Sequence, residues 1–119
     1  MPVESISAVT LSVKDMARSV VFYRDLVGLN MLYGGESAGF TSFGIGGGYL
    51  NLIATDQPVG WWGRVIFYVD DVDELHAQLV SQGLKSDTDP ADAPWGERYF
   101  HIFDPDGHEL SFARPLEKQ

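Results

Sequence analysis

The chain has 119 residues, 17 acids against 8 lysines and arginines for a formal charge of −9, no cysteine, and 45% hydrophobic and 21% charged residues. That is room for one globular domain or a pair of fused half-domains, and not for a second independent domain. The acidic balance repels phosphate backbones and anionic lipid, so neither nucleic acid nor membrane is an expected partner, and the missing cysteines remove disulfides, thiol catalysis and thiolate metal sites.

Met1-Pro2-Val3-Glu4-Ser5 has neither the cationic start nor the apolar stretch of an export signal, which makes a cytoplasmic protein the expectation. Ile6 to Val13 alternates as a strand. Asp15 then caps a helix whose Met16, Val20, Tyr23 and Val27 recur at helical spacing before Gly28 stops it. Leu29–Tyr33, Phe40–Ile45 and Tyr49–Ala54 read as three further strands.

The same order returns. Val65 to Val69 is a strand, Asp71 with Glu74 opens a helix with Val72, Leu75 and Leu79 inward, and Gly83 closes it. Leu84–Ser86, Arg98–Phe103 and His108–Ala113 are the strands that follow. Val13-Lys14-Asp15-Met16 slides onto Val69-Asp70-Asp71-Val72 by about 56 positions, as duplication of one supersecondary unit requires. The expectation is an α+β protein of two tandem βαβββ modules, about residues 1–56 and 63–119, in a single domain whose mixed sheet curls around a cleft.

Parity along the strands sorts side chains by face. Asp104-Pro105-Asp106-Gly107 reads as a bulged hairpin turn, which puts Tyr99, His101, Glu109 and Ser111 on one face and Phe100, Ile102, Leu110 and Phe112 on the other. By the same alternation Val9, Leu11, Leu50, Leu52, Val65 and Phe67 lie under the helices, and Ala8, Thr10, Asn51, Arg64, Ile66 and Tyr68 face the cleft. Phe40, Tyr49 and Trp95 fall on or near that face. Trp61 and Trp62, flanked by glycines in the connection between modules, need a cover, which a flat ligand or a second subunit would supply. His101 and Glu109 could act as an acid and base or bond a ligand, and Arg64 could bind a ligand oxygen or pair with Glu109. His76 is expected to be solvated, and His108 to meet solvent or its own hairpin.

Leu11-Ser12-Val13-Lys14-Asp15, Phe22-Tyr23 with Gly28-Leu29, the duplicated βαβββ order and Asp104-Pro105-Asp106-Gly107 together resemble the vicinal oxygen chelate superfamily of glyoxalase I, bleomycin-resistance proteins and extradiol dioxygenases. The resemblance implies paired modules around a shared cavity, often completed by a second subunit, and hence a homodimer. It also implies a divalent metal held by four side chains, whose positions here carry Ala8, Asn51, Arg64 and Ser111. A unit cation about 4 Å from a divalent ion repels it by roughly 8 kcal/mol at an effective dielectric near 20, so neither metal nor other cofactor is expected. Pro94-Trp95-Gly96-Glu97-Arg98-Tyr99 is similar to the antibiotic-binding branch. That likeness implies non-catalytic sequestration of an aromatic antibiotic of bleomycin, mitomycin or enediyne type, drawn in by negative charge if it is cationic. The alternative is a small-molecule enzyme of the same superfamily, either metal-free or using ligands outside those four positions.

Overall fold

A computed structural model gives the fold over residues 2–86 and 88–117. The chain divides into two compact units, Met1–Val59 and Gly60–Gln119.

In the first unit, alternation builds β1 (Ala8–Val13), with Leu11 and Val13 buried and Ala8 and Thr10 exposed. The Asp15 side chain accepts from the Arg18 N–H and starts α1 (Met16–Val20). The helix does not continue in the expected α register to Val27. Val21–Leu26 is π-helical, and the Val27 N–H reaches the Phe22 carbonyl five residues back at 3.0 Å. The added residue in the turn brings two consecutive rings inward: Phe22 and Tyr23 are both buried and meet edge to face at 5.0 Å. Strands β2 (Asn30–Tyr33), β3 (Phe40–Ile45) and β4 (Gly48–Ala54) complete an open sheet of order β1-β4-β3-β2, in which β1 and β4 are parallel. Met16, Val20 and Tyr23 cover Leu11, Phe43, Leu50 and Leu52.

The second unit repeats the plan with β5 (Arg64–Tyr68), α2 (Val72–Ser81), β6 (Ala91–Asp92), β7 (Glu97–Phe103) and β8 (Glu109–Pro115). Its sheet order is β5-β8-β7-β6, again with the outer pair β5 and β8 parallel. Asp71 Oδ1 accepts from the Glu74 N–H at 3.0 Å to open α2. The helix packs on β7 and β8 over a stack of Phe67, Phe112 and Phe100, with ring centroids 5.4 and 5.3 Å apart. Burying each such ring contributes about 1.5–3 kcal/mol.

Leu84–Ser86 is not the strand that its apolar start suggested. The Leu84 N–H is used to cap α2, bonding the Leu79 carbonyl at 3.1 Å, so it is unavailable to a sheet. Ala91–Asp92 takes the edge position instead. Two hairpins of one design then set the faces: Ala93-Pro94-Trp95-Gly96 joins β6 to β7, and Asp104-Pro105-Asp106-Gly107 joins β7 to β8. In each, the glycine N–H bonds the first residue's carbonyl at 3.0 Å, and the glycine sits at φ +97° (Gly96) or +93° (Gly107), a conformation side chains resist. Among the described residues, no helix is long and apolar enough to cross a membrane.

Candidate functional site

Register within the second unit builds one polar and aromatic face. Arg64 lies opposite Glu109, Ile66 opposite Ser111, Tyr68 and Tyr99 opposite Ala113, and His101 opposite Ser111. The alternate set, Phe100, Ile102, Leu110 and Phe112, is wholly inward. The open face carries a pocket of about 470 Å³, lined by Arg64, Ile66, Trp95, Glu97, Tyr99, His101, Ser111 and Ala113. That volume falls within the range of roughly 300–1,000 Å³ common for small-molecule sites.

At one end the Arg64 guanidinium donates to Glu109, whose residue is only 8% exposed although the Arg64 side chain is 47% exposed. The pairing holds the Glu109 carboxyl below its ordinary range. Arg64 does most of this, partial burial works against it, and His101 and the Trp61 indole add to the lowering. Glu109 therefore sits behind Arg64 as a fixed anion.

At the other end the Glu97 carboxylate accepts from two aromatic donors, Trp95 Nε1 at 2.9 Å and the Tyr68 hydroxyl. The Tyr68 phenol is pushed up by that carboxylate, which keeps it a donor. Trp95 leans on Tyr99 with ring centroids 5.4 Å apart. The proline-initiated turn places Trp95 at its tip, 65% exposed. Glu97 was not among the residues that sequence reasoning singled out. Its signal was nevertheless present: positions 97, 99 and 101 share one strand parity once β7 is started one residue earlier.

The remaining expected residues are not part of the pocket's lining. Trp61 is exposed beside Glu109. Trp62 does not line the pocket; its indole donates to His108 Nδ1 at 2.7 Å with the rings 5.8 Å apart. Of the two expectations for His108, solvent or its own hairpin, the second holds: it is buried at 4% exposure, and Asp104 Oδ1 of its hairpin turn accepts its N–H. His76 is likewise not solvated: it packs edge-on against Phe100 at 5.0 Å, since α2 lies over β7. Phe40 and Asn51 belong to the first unit. There Phe40 stacks on Tyr33 at 6.1 Å, and Asn51 Nδ2 donates to Thr10 Oγ1 at 3.4 Å, leaving its Oδ1 with no hydrogen-bond partner among the described residues.

The four positions implied for a metal do not fit one. Ala8 has no donor atom, Asn51 and Ser111 offer neutral oxygens, and Arg64 is a cation already engaged by Glu109. Among the described residues, no group of three His, Cys, Asp or Glu side chains converges as a metal site would need.

The sequence profile of the Glyoxalase/Bleomycin resistance protein/Dioxygenase superfamily matches residues 5–112. No curated protein matches the chain. Among solved structures, lactoylglutathione lyase from Agrobacterium tumefaciens is similar at 25% identity over 94% of both chains, with a TM-score of 0.79. TioX from Micromonospora sp. ML1 is similar at 28% identity over 95% of this chain and 100% of its own, with a TM-score of 0.78. A glyoxalase/bleomycin resistance protein/dioxygenase from Nocardioides shares the fold at 21% identity and a TM-score of 0.79, over 100% of this chain and 88% of its own.

Proposed function

The chain belongs to the glyoxalase/bleomycin resistance protein/dioxygenase superfamily, and from that membership we propose that it binds an aromatic antibiotic of bleomycin, mitomycin or enediyne type without altering it, conferring resistance by sequestration. The observation that carries the reading is the pocket of the second unit, where Trp95, Tyr99 and Ile66 offer flat apolar surface beside a guanidinium held by Glu109. Stacking on such rings needs no metal, and the residues at the chelating positions are unsuited to one. Protection then works by mass action and requires a dissociation constant below the toxic free concentration. The protein acts in the cytoplasm as a homodimer, which adds buried core to a chain of this length.

Titration with bleomycin, mitomycin C and an anthraquinone-fused enediyne, followed by tryptophan fluorescence, tests the proposal. Saturable quenching at micromolar ligand or below, with the ligand recovered unchanged, is the expected result. No response to any of the three removes the reading.

The 25% identity to a protein named lactoylglutathione lyase favours a second reading, an enzyme. His101 lines the pocket and Glu109 lies on the same sheet face, but Glu109 is a poor base while Arg64 holds its carboxyl low. Recovery of chemically altered ligand, or of a stoichiometric transition metal with the purified protein, would establish this reading over the first.

A further inference from the structure

Glu97 is the carboxylate that lines the pocket, and among the described residues no lysine, arginine or histidine pairs with it, which deepens the binding reading given above, on which it rests. The three arginines of the second unit are committed elsewhere. Arg64 pairs with Glu109, Arg98 forks onto Asp73 at 2.7 and 3.1 Å and reaches Asp92 at 3.2 Å, and Arg114 reaches the Val69 carbonyl and Asp70. Glu97 lies opposite Pro115 at one end of β8 and Arg64 opposite Glu109 at the other. Six residues of strand span about 20 Å, so the ion pair at one end does little to neutralise the carboxylate at the other. The two groups that Glu97 does bond, an indole N–H and a phenol, are neutral donors that orient the carboxylate and leave its charge intact.

Those donors are also rings. Trp95 and Tyr68 are pinned by Glu97 itself, Tyr99 packs against Trp95, and Trp95 and Tyr68 are each about two-thirds exposed. Aromatic faces attract organic cations through their quadrupoles, and an adjacent carboxylate adds direct attraction. We infer that the Glu97 end of the pocket is a subsite for an organic cation, an alkylated ammonium or N-alkylated heteroaromatic group, seated on Trp95 and Tyr99 against the Glu97 carboxylate.

Two rings of the same size test it: N-methylquinolinium, permanently charged, and 4-methylquinoline at pH 8, neutral, each titrated by tryptophan quenching at low salt. The protein is expected to bind the cation about tenfold more tightly than the neutral ring. Tyr68→Phe keeps the carboxylate and should keep that preference. The double variant Tyr68→Phe/Glu97→Gln preserves an acceptor for Trp95 while removing the charge, and should bind both rings alike at about the affinity of the neutral one. Equal affinities in the unaltered protein, or a preference that survives in the double variant, overturn the subsite while leaving aromatic binding intact. If neither ring binds, the subsite and the aromatic binding it rests on are both overturned.

Discussion

Replacing Arg64 by alanine should destabilise the protein more than replacing Glu109 by glutamine, because the two partners differ in access to water. Glu109 is 8% exposed and the Arg64 side chain 47%. Without Arg64 a largely desolvated carboxylate keeps, among the described residues, the indole of Trp61 and the weak field of His101. Breaking a fully buried ion pair costs about 3–5 kcal/mol, and a hydrogen bond to a charged group is worth about 1.5–3 kcal/mol. With one partner half in solvent the lower range applies, about 2 kcal/mol for Arg64→Ala. Glu109→Gln leaves a guanidinium able to turn into water, and should cost about 1 kcal/mol or less. The pH dependence follows from the lowered carboxyl of Glu109. A depressed folded-state value contributes stability that is fully present above the unfolded carboxyl's range, near pH 4.3, and is lost as pH falls through the folded-state value. In Arg64→Ala that contribution is gone and protonation relieves the buried charge, so the deficit shrinks as the solution is acidified. Urea unfolding followed by tryptophan fluorescence, at pH 7 and in steps down to pH 4, measures both effects. A cost for Glu109→Gln equal to or above that of Arg64→Ala, or a deficit independent of pH, refutes the reasoning.

Glu97→Gln should bring the Tyr68 phenol down towards its ordinary value, read as phenolate absorbance in an alkaline titration; because the folded-state value is raised, the stability this contact contributes disappears as pH climbs through it. Gly96→Ala meets no atom within 4 Å of the new Cβ, so its effect is purely the left-handed backbone strain, about 1–2 kcal/mol by chemical denaturation, accompanied by a changed Trp95 emission. Trp62→Phe removes the donor to His108 Nδ1 while keeping a ring against it, and should lower stability by about 1–2 kcal/mol, measured by urea unfolding.

Period-two alternation and capping residues carry enough local physics for a sequence to expose them. Phe100, Ile102, Leu110 and Phe112 are buried on the face that the proline-glycine turn assigned them, because a hairpin register admits only two choices and one would put four apolar side chains in water. Asp15 and Asp71 cap their helices for equally local reasons: a short side chain reaches the N–H three residues on. The duplicated order of elements, and with it the α+β fold, was legible on these grounds.

What the chain could not announce depends on partners distant in sequence. The π-helical turn at Val21–Leu26 arises because Phe22 and Tyr23 both find room in the core, against Phe43 among others, which helical spacing alone does not foresee. Whether Arg64 offers its charge to a ligand or spends it on Glu109, 45 positions away, is decided by strand pairing between β5 and β8. Trp62 and His108, 46 positions apart, are joined in the same way. Glu97 gained its place in the pocket only when β7 began one residue earlier than its apolar pattern indicated and Tyr68 reached it from β5. Helix caps, turns and face parity are set within a few residues and so belong to the sequence. The charge state of the pocket is set by which strands lie side by side, and only the tertiary structure decides that.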